Sequence, residues 1–331
     1  MKIKNLNMKI INLTFLVIMI VLAGFRPLGF DADSIGYFNI MENIINDNFD
    51  TIEVSFIYIV KIFFNLFGMD IYQRAVFVFY AVLNLFILSK VLNRTTNYFF
   101  ISLLVYFFIF FPILSMTQMR FSLGTAIFLF SIKDIQERNF FNYTLKIFFA
   151  FLFHYTFALF ILFYFLNPTK NSMSYFNFIL FISFLFSFLK EKIVNLILYI
   201  SHLLNVPEYF QNKIYINLVQ NLEVNSLNIL NIKIIFALFI LYLSNKYVKN
   251  ENLLYNKILT IGIILYFLTS FSPTIAFRAY NSLCIVLILI IPSIVAKIKE
   301  QSLSLGFLLL FLYLMFLNTM VRNSLFDWSI L

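Results

Sequence analysis

Apolar residues run along this chain in continuous blocks of membrane-crossing length, separated by short polar stretches. The blocks fall near 10–25, 71–92, 98–116, 119–136, 143–166, 174–190, 230–248, 256–273, 279–297 and 303–320. A helix needs about 20 apolar residues to cross a bilayer. A weaker block, 54–68, carries Lys61 and Asn65. The blocks do not alternate apolar with polar, which argues against a transmembrane β-barrel. The pattern predicts an all-α chain. It is a polytopic transmembrane bundle of about 10 to 12 membrane segments, some re-entrant or broken, in one membrane domain over 1–331.

Composition agrees. Of 331 residues, 62% are hydrophobic and 12% charged, too few charges to cover a soluble surface. Cys284 is the only cysteine, so no disulfide framework exists. The net charge of +9 is spread over short loops and reads as orientation charge, not as a nucleic-acid footprint. Lys2, Lys4 and Lys9 place the N-terminus in the cytoplasm, before an uncleaved first span. Basic loops at Lys90/Arg94, Lys133/Arg138/Lys146, Lys246/Lys249/Lys257 and Lys297/Lys299 follow on the same side. The lysine-free, acid-rich stretch 26–53 and the stretch 191–229 are expected outside.

These assignments leave room for one crossing between 26–53 and Lys90, which 71–92 supplies. Block 54–68 is then re-entrant or interfacial. Block 143–166 poses a choice. Either it crosses and part of 191–229 crosses too, or it is a broken helix pair returning to the cytoplasm. His154 sits at its middle, where a break lining a polar cavity is tolerated.

A charge at membrane depth costs at least a few kcal/mol, so each one is a candidate for function. Arg120, expected near the outer end of its helix, is either an interfacial anchor or a bidentate grip for phosphate. Gln118, two residues earlier, is placed to bond a sugar. His154, among aromatics, is either a satisfied core residue or a general base. Arg278 is expected in an outside turn after Pro273, with Tyr280 beside it, as an anchor or a second cation. Asp31, Asp33 and Tyr37 follow the first span. The two carboxylates could hold a divalent metal, supply a base, or simply be solvated.

In order along the chain stand Asp33-Ser34-Ile35-Gly36-Tyr37, Glu53-Val54-Ser55-Phe56-Ile57-Tyr58, Met116-Thr117-Gln118-Met119-Arg120, Leu152-Phe153-His154-Tyr155-Thr156-Phe157 and Phe277-Arg278-Ala279-Tyr280. In this order and spacing the chain resembles the EpsG-like family, related to Wzy-type polymerases of O-antigen, capsule and exopolysaccharide. Thr156-Phe157 stands where that family has a small-residue pair. The resemblance implies a polymerase, a membrane glycosyltransferase of the cytoplasmic membrane. It would join undecaprenyl-pyrophosphate-linked oligosaccharide repeat units at the outer face. A flippase and a chain-length regulator of the same pathway would be partners. Under that resemblance Arg120 and Arg278 grip the pyrophosphate or its sugar, and His154 or Asp33 accepts the acceptor's proton. Gln118, Tyr37, Asp31 and Tyr280 line the substrate. The donor is already activated, so no cofactor and no metal are expected. Two other classes stay open: a glycosyltransferase using a polyprenyl-phosphate sugar, and a transporter or flippase for lipid-linked sugars.

Overall fold

The computed structural model describes residues 2–48, 52–170, 172–204, 206, 232–248, 251–298 and 301–317, the side chains of 2–6, 301–305 and 307 excepted. Residues 49–51 of the first outside stretch, Lys249, Lys299 and most of 191–229 lie outside the described residues. Among the described residues the chain is helical throughout, without strands. It forms two compact units, Met1–Pro168 with Ile291–Leu331, and Thr169–Ile290.

In the first unit, α1 (Lys2–Gly24) is followed by α2 (Ser34–Ile45), α3 (Val54–Phe67) and α4 (Tyr72–Thr95). Next come α5 (Phe99–Val105), α6 (Met119–Gln136) and α7 (Phe140–Phe153). Fourteen of the eighteen residues of α6 are buried, as in a central helix. It packs on α4 and α7, and α4 packs on α1 and α3. Small residues Ser122, Gly124, Thr125 and Ala126 let neighbours close in on α6. A Cβ on Gly124 would stand 2.3 Å from the Phe157 ring.

Among the described residues, four helical stretches are long and apolar enough to cross a membrane: Asn7–Gly24, Tyr72–Thr95, Met173–Leu203 and Pro273–Lys297. Three of the other apolar blocks are short or broken helices. In block 98–116, Pro112 has no N–H to donate and its ring crowds the preceding turn. The backbone widens to π-helix over Tyr106–Phe110 and Pro112–Thr117, and Gln118 (φ −103°, ψ 57°) ends it. Helix α3 is 14 residues, about 21 Å, short of the roughly 30 Å hydrocarbon core. Block 143–166 is broken at His154, whose backbone is extended (φ −159°, ψ 122°).

That break resolves the choice left by the sequence. After His154 the chain continues as a 3₁₀ helix, Tyr155–Phe165, long for its kind. It runs back along α7. The Tyr143 hydroxyl donates to the Phe160 carbonyl. The Tyr164 hydroxyl donates to the Arg138 carbonyl, and Arg138 Nη1 to the Tyr164 carbonyl. The limbs match in length, about 21 Å of α-helix against about 22 Å of 3₁₀ helix. Block 143–166 is therefore a hairpin with His154 at its tip, returning to the Arg138 end where it began. Arg138, at φ 57°, makes the left-handed turn that joins α6 to α7.

In the second unit, α8 (Met173–Phe186) and α9 (Lys190–Leu203) run on through a 3₁₀ turn as one helical stretch. The outside stretch expected from residue 191 thus begins as a continuation of the span. Helices α10 (Ile232–Tyr247), α11 (Leu253–Leu268) and α12 (Pro273–Leu283) follow, and α12 runs on through a 3₁₀ turn, Cys284–Val286, into the helix Leu287–Lys297.

Candidate functional site

The polar residues of the first unit gather where the loop after α1, the starts of α3 and α6, and the hairpin tip meet. In the loop, Arg26 Nε lies 2.5 Å from Asp31 Oδ2, and both side chains are almost wholly buried. Arg26 also donates to the Ala23 carbonyl, and its guanidinium sits 4.2 Å over the Phe77 ring. Burial lowers the Arg26 pKa from its ordinary value, with the Asp31 charge opposing. Asp31 Oδ1 accepts the Asp33 N–H at 3.1 Å. Asp31 is thus turned inward and fastens the loop to the end of α1. Asp33 caps α2, and its carbonyl accepts the Tyr37 N–H at 2.9 Å. Among the described residues no three His, Cys, Asp or Glu side chains gather in one place.

Arg120 is the second residue of α6, just past the break at Gln118. Its Nη1 donates to Glu53 Oε2 in a salt bridge, with side-chain exposures of 17% and 9%. The Phe56 and Tyr37 ring centroids lie 4.8 and 5.4 Å from the guanidinium carbon, close enough for cation–π attraction. Tyr37 is buried, which raises its pKa, with Arg120 pulling the other way. The cluster is not closed. Arg120 Nε, Gln118 Oε1 and the Tyr80 hydroxyl are buried without a hydrogen-bond partner. Leaving such a group unmet costs about 1–3 kcal/mol.

His154 is fixed beside this cluster. Its Nδ1 lies 2.8 Å from Thr156 Oγ1, and its ring meets Phe121, next to Arg120, edge-on at 5.1 Å. Two bonds fasten the tip to the start of α3. The Ser55 hydroxyl donates to the Leu152 carbonyl, and the Tyr155 hydroxyl to the Ile52 carbonyl at 3.0 Å. Glu53 and His154 lie between these ties. Phe153 packs edge-on against Tyr80 at 6.1 Å.

The structure therefore brings Tyr37, Gln118, Arg120 and His154 together, with Asp33 at the edge. Asp31 is spent on Arg26. Arg278 and Tyr280 belong to the second unit. There Pro273 occupies the first turn of α12, where its missing N–H costs nothing. The helix starts at Pro273, so Arg278 lies inside it and not in an outside turn. Arg278 Nε is buried without a hydrogen-bond partner. Tyr280 is anchored, its hydroxyl donating to the Lys233 carbonyl at 3.0 Å.

Two members of the cluster were not legible as such. Glu53 opens an apolar block, which marks it, but nothing local shows that it faces Arg120 across 67 positions. Tyr80 is one of 19 tyrosines, inside an unbroken apolar run, and carries no signal.

A family model described as "EpsG family" matches residues 9–329. No curated protein and no solved structure matches the chain.

Proposed function

This chain belongs to the EpsG family, a Wzy-like polymerase family, and from that premise we propose that it polymerises undecaprenyl-pyrophosphate-linked oligosaccharide units at the outer face of the cytoplasmic membrane. Family membership and the apolar helices support a multi-pass membrane protein of polysaccharide-polymerase type. The substrate, the outer face, a cytoplasmic N-terminus and a total of about 10 to 12 membrane segments are the proposal.

One observation carries it most. A guanidinium is held at a helix break by a carboxylate and two rings, with one N–H unspent. A leaving pyrophosphate needs such a fixed cation in a water-poor site. An acceptor hydroxyl attacks the anomeric carbon of the donor sugar. The bond from that carbon to the pyrophosphate oxygen breaks, and the pyrophosphate leaves with the electron pair. Arg120 stabilises the charge that develops there. His154, at the hairpin tip, accepts the hydroxyl proton. Asp33, one turn before Tyr37 at the start of α2, is the alternative base. Arg278, in the second unit, is proposed as a substrate-contact cation in its own right, its Nε buried without a hydrogen-bond partner.

The test is the polysaccharide ladder of a polymerase-deleted host carrying wild type, Arg120→Ala, His154→Ala, Asp33→Ala or Arg278→Ala, at matched protein level. Wild type is expected to convert single units into a ladder, and Arg120→Ala to leave single units. The base is whichever of His154→Ala and Asp33→Ala abolishes the ladder. A full ladder from Arg120→Ala would overturn this role. Absence of single units at the outer face without the protein would favour a transporter.

A further inference from the structure

Tyr80 is 1% exposed, and its hydroxyl has no hydrogen-bond partner. It lies about 12 Å along α4 from Tyr72, inside an apolar helix. Tyr80 and Arg120 share Phe56 as a neighbour: its ring centroid lies 6.0 Å from the Tyr80 ring and 4.8 Å from the Arg120 guanidinium carbon. Its ring is wedged, with Phe79 and Phe153 edge-on and Phe56 tilted, at centroid distances of 5.7, 6.1 and 6.0 Å. These rings hold the Tyr80 side chain on three sides. Arg120 Nε, the unspent donor of the guanidinium, belongs to the same cluster. A hydroxyl and a guanidinium N–H, both buried and both unmet, call for an anionic oxygen as their shared acceptor.

We propose that Tyr80 is a substrate-contact residue, its hydroxyl and Arg120 Nε donating together to a non-bridging phosphate oxygen of the lipid-linked donor. The inference rests on the polymerase reading of the Arg120 site and adds to it a donor from α4. Gln118 Oε1, an unmet acceptor at the same break, suits a hydroxyl of the adjoining sugar. The substrate class that follows is a phosphorylated lipid whose phosphate enters to the depth of Tyr80. A cation at the surface alone would not require that hydroxyl.

Binding of farnesyl pyrophosphate to the full-length protein in lipid nanodiscs tests this, with the melting temperature read in parallel. Tyr80→Phe removes one oxygen and keeps the ring contacts. It is expected to weaken binding about tenfold, as loss of one charge-assisted hydrogen bond does, without lowering the melting temperature. Tyr72→Phe removes another buried, unmet hydroxyl outside the cluster and is expected to bind within about twofold of wild type. Wild-type binding by Tyr80→Phe, with loss in Arg120→Ala, would overturn the role of Tyr80 and leave the polymerase reading standing. A loss in Tyr80→Phe that only follows a lower melting temperature would also count against it. A wild-type protein that does not bind farnesyl pyrophosphate would overturn both.

Discussion

Asn84 and Tyr80 stand one turn apart on α4, each a polar side chain buried in an apolar helix, and they are met differently. Asn84 Nδ2 donates to the Tyr106 hydroxyl at 3.0 Å and to Ser115 Oγ at 2.9 Å. Tyr106 and Ser115 bond each other at 2.7 Å. That triangle closes on itself and ties α4 to both π-helical stretches around Pro112. One turn away, Tyr80, Arg120 and Gln118 keep unmet atoms beside a salt bridge. Unmet atoms occur elsewhere too, Tyr72 on the same helix among them, but at the Arg120 cluster three of them stand beside a salt bridge. A closed network stabilises the fold, whereas an open one retains bonding capacity for a ligand.

The contrast breaks most sharply at Glu53. Glu53→Ala leaves Arg120 as an uncompensated cation and is expected to cost about 3 kcal/mol and to abolish the ladder. Glu53→Gln, which keeps a hydrogen-bond acceptor, should restore stability more than polymerisation. The ladder and the unfolding midpoint, measured on both variants, check this. On the closed side, Asn84→Ala should cost about 2 kcal/mol of stability yet leave polymerisation per folded molecule near wild type. A lower midpoint with an unchanged ladder at matched folded protein is the expected result. Gly124→Ala tests the hairpin. A Cβ there meets Phe157, so the 3₁₀ limb must shift at a cost of about 1–3 kcal/mol, carrying His154 with it. Ladder length should fall more than stability does. The smallest effect belongs to Ser55→Ala, which unties one of two bonds to the hairpin tip. It should cost about 1 kcal/mol and shorten the ladder only slightly.

Much of this was legible from the sequence, and the limits have physical causes. Apolar block length marked Asn7–Gly24 and Tyr72–Thr95 directly, because a bilayer selects for length and apolarity along one helix. His154 at the centre of 143–166 left a full crossing and a broken pair both open, and only the extended backbone at that residue decides for the hairpin. Arg120 and His154 stood out because a polar group in an apolar run is costly. What one sequence does not carry is pairing across the fold. Asp31 stood open as a metal ligand, a base or a solvated carboxylate, and only packing turned it inward onto Arg26. Pro112 lies in an apolar block whose composition gives no sign of the π-helix that starts there. Pro273 looked like an interruption, whereas its position at the first turn makes it a helix start.

The central claim concerns what leaves when a linkage forms. Full-length protein in nanodiscs, given a lipid-pyrophosphate-linked repeat unit, should produce longer glycans and release one lipid pyrophosphate for each new linkage. Arg120→Ala, folded and equally abundant, should do neither. Elongation without stoichiometric release of lipid pyrophosphate, or equal elongation by Arg120→Ala, would contradict the assignment of Arg120 to the leaving group.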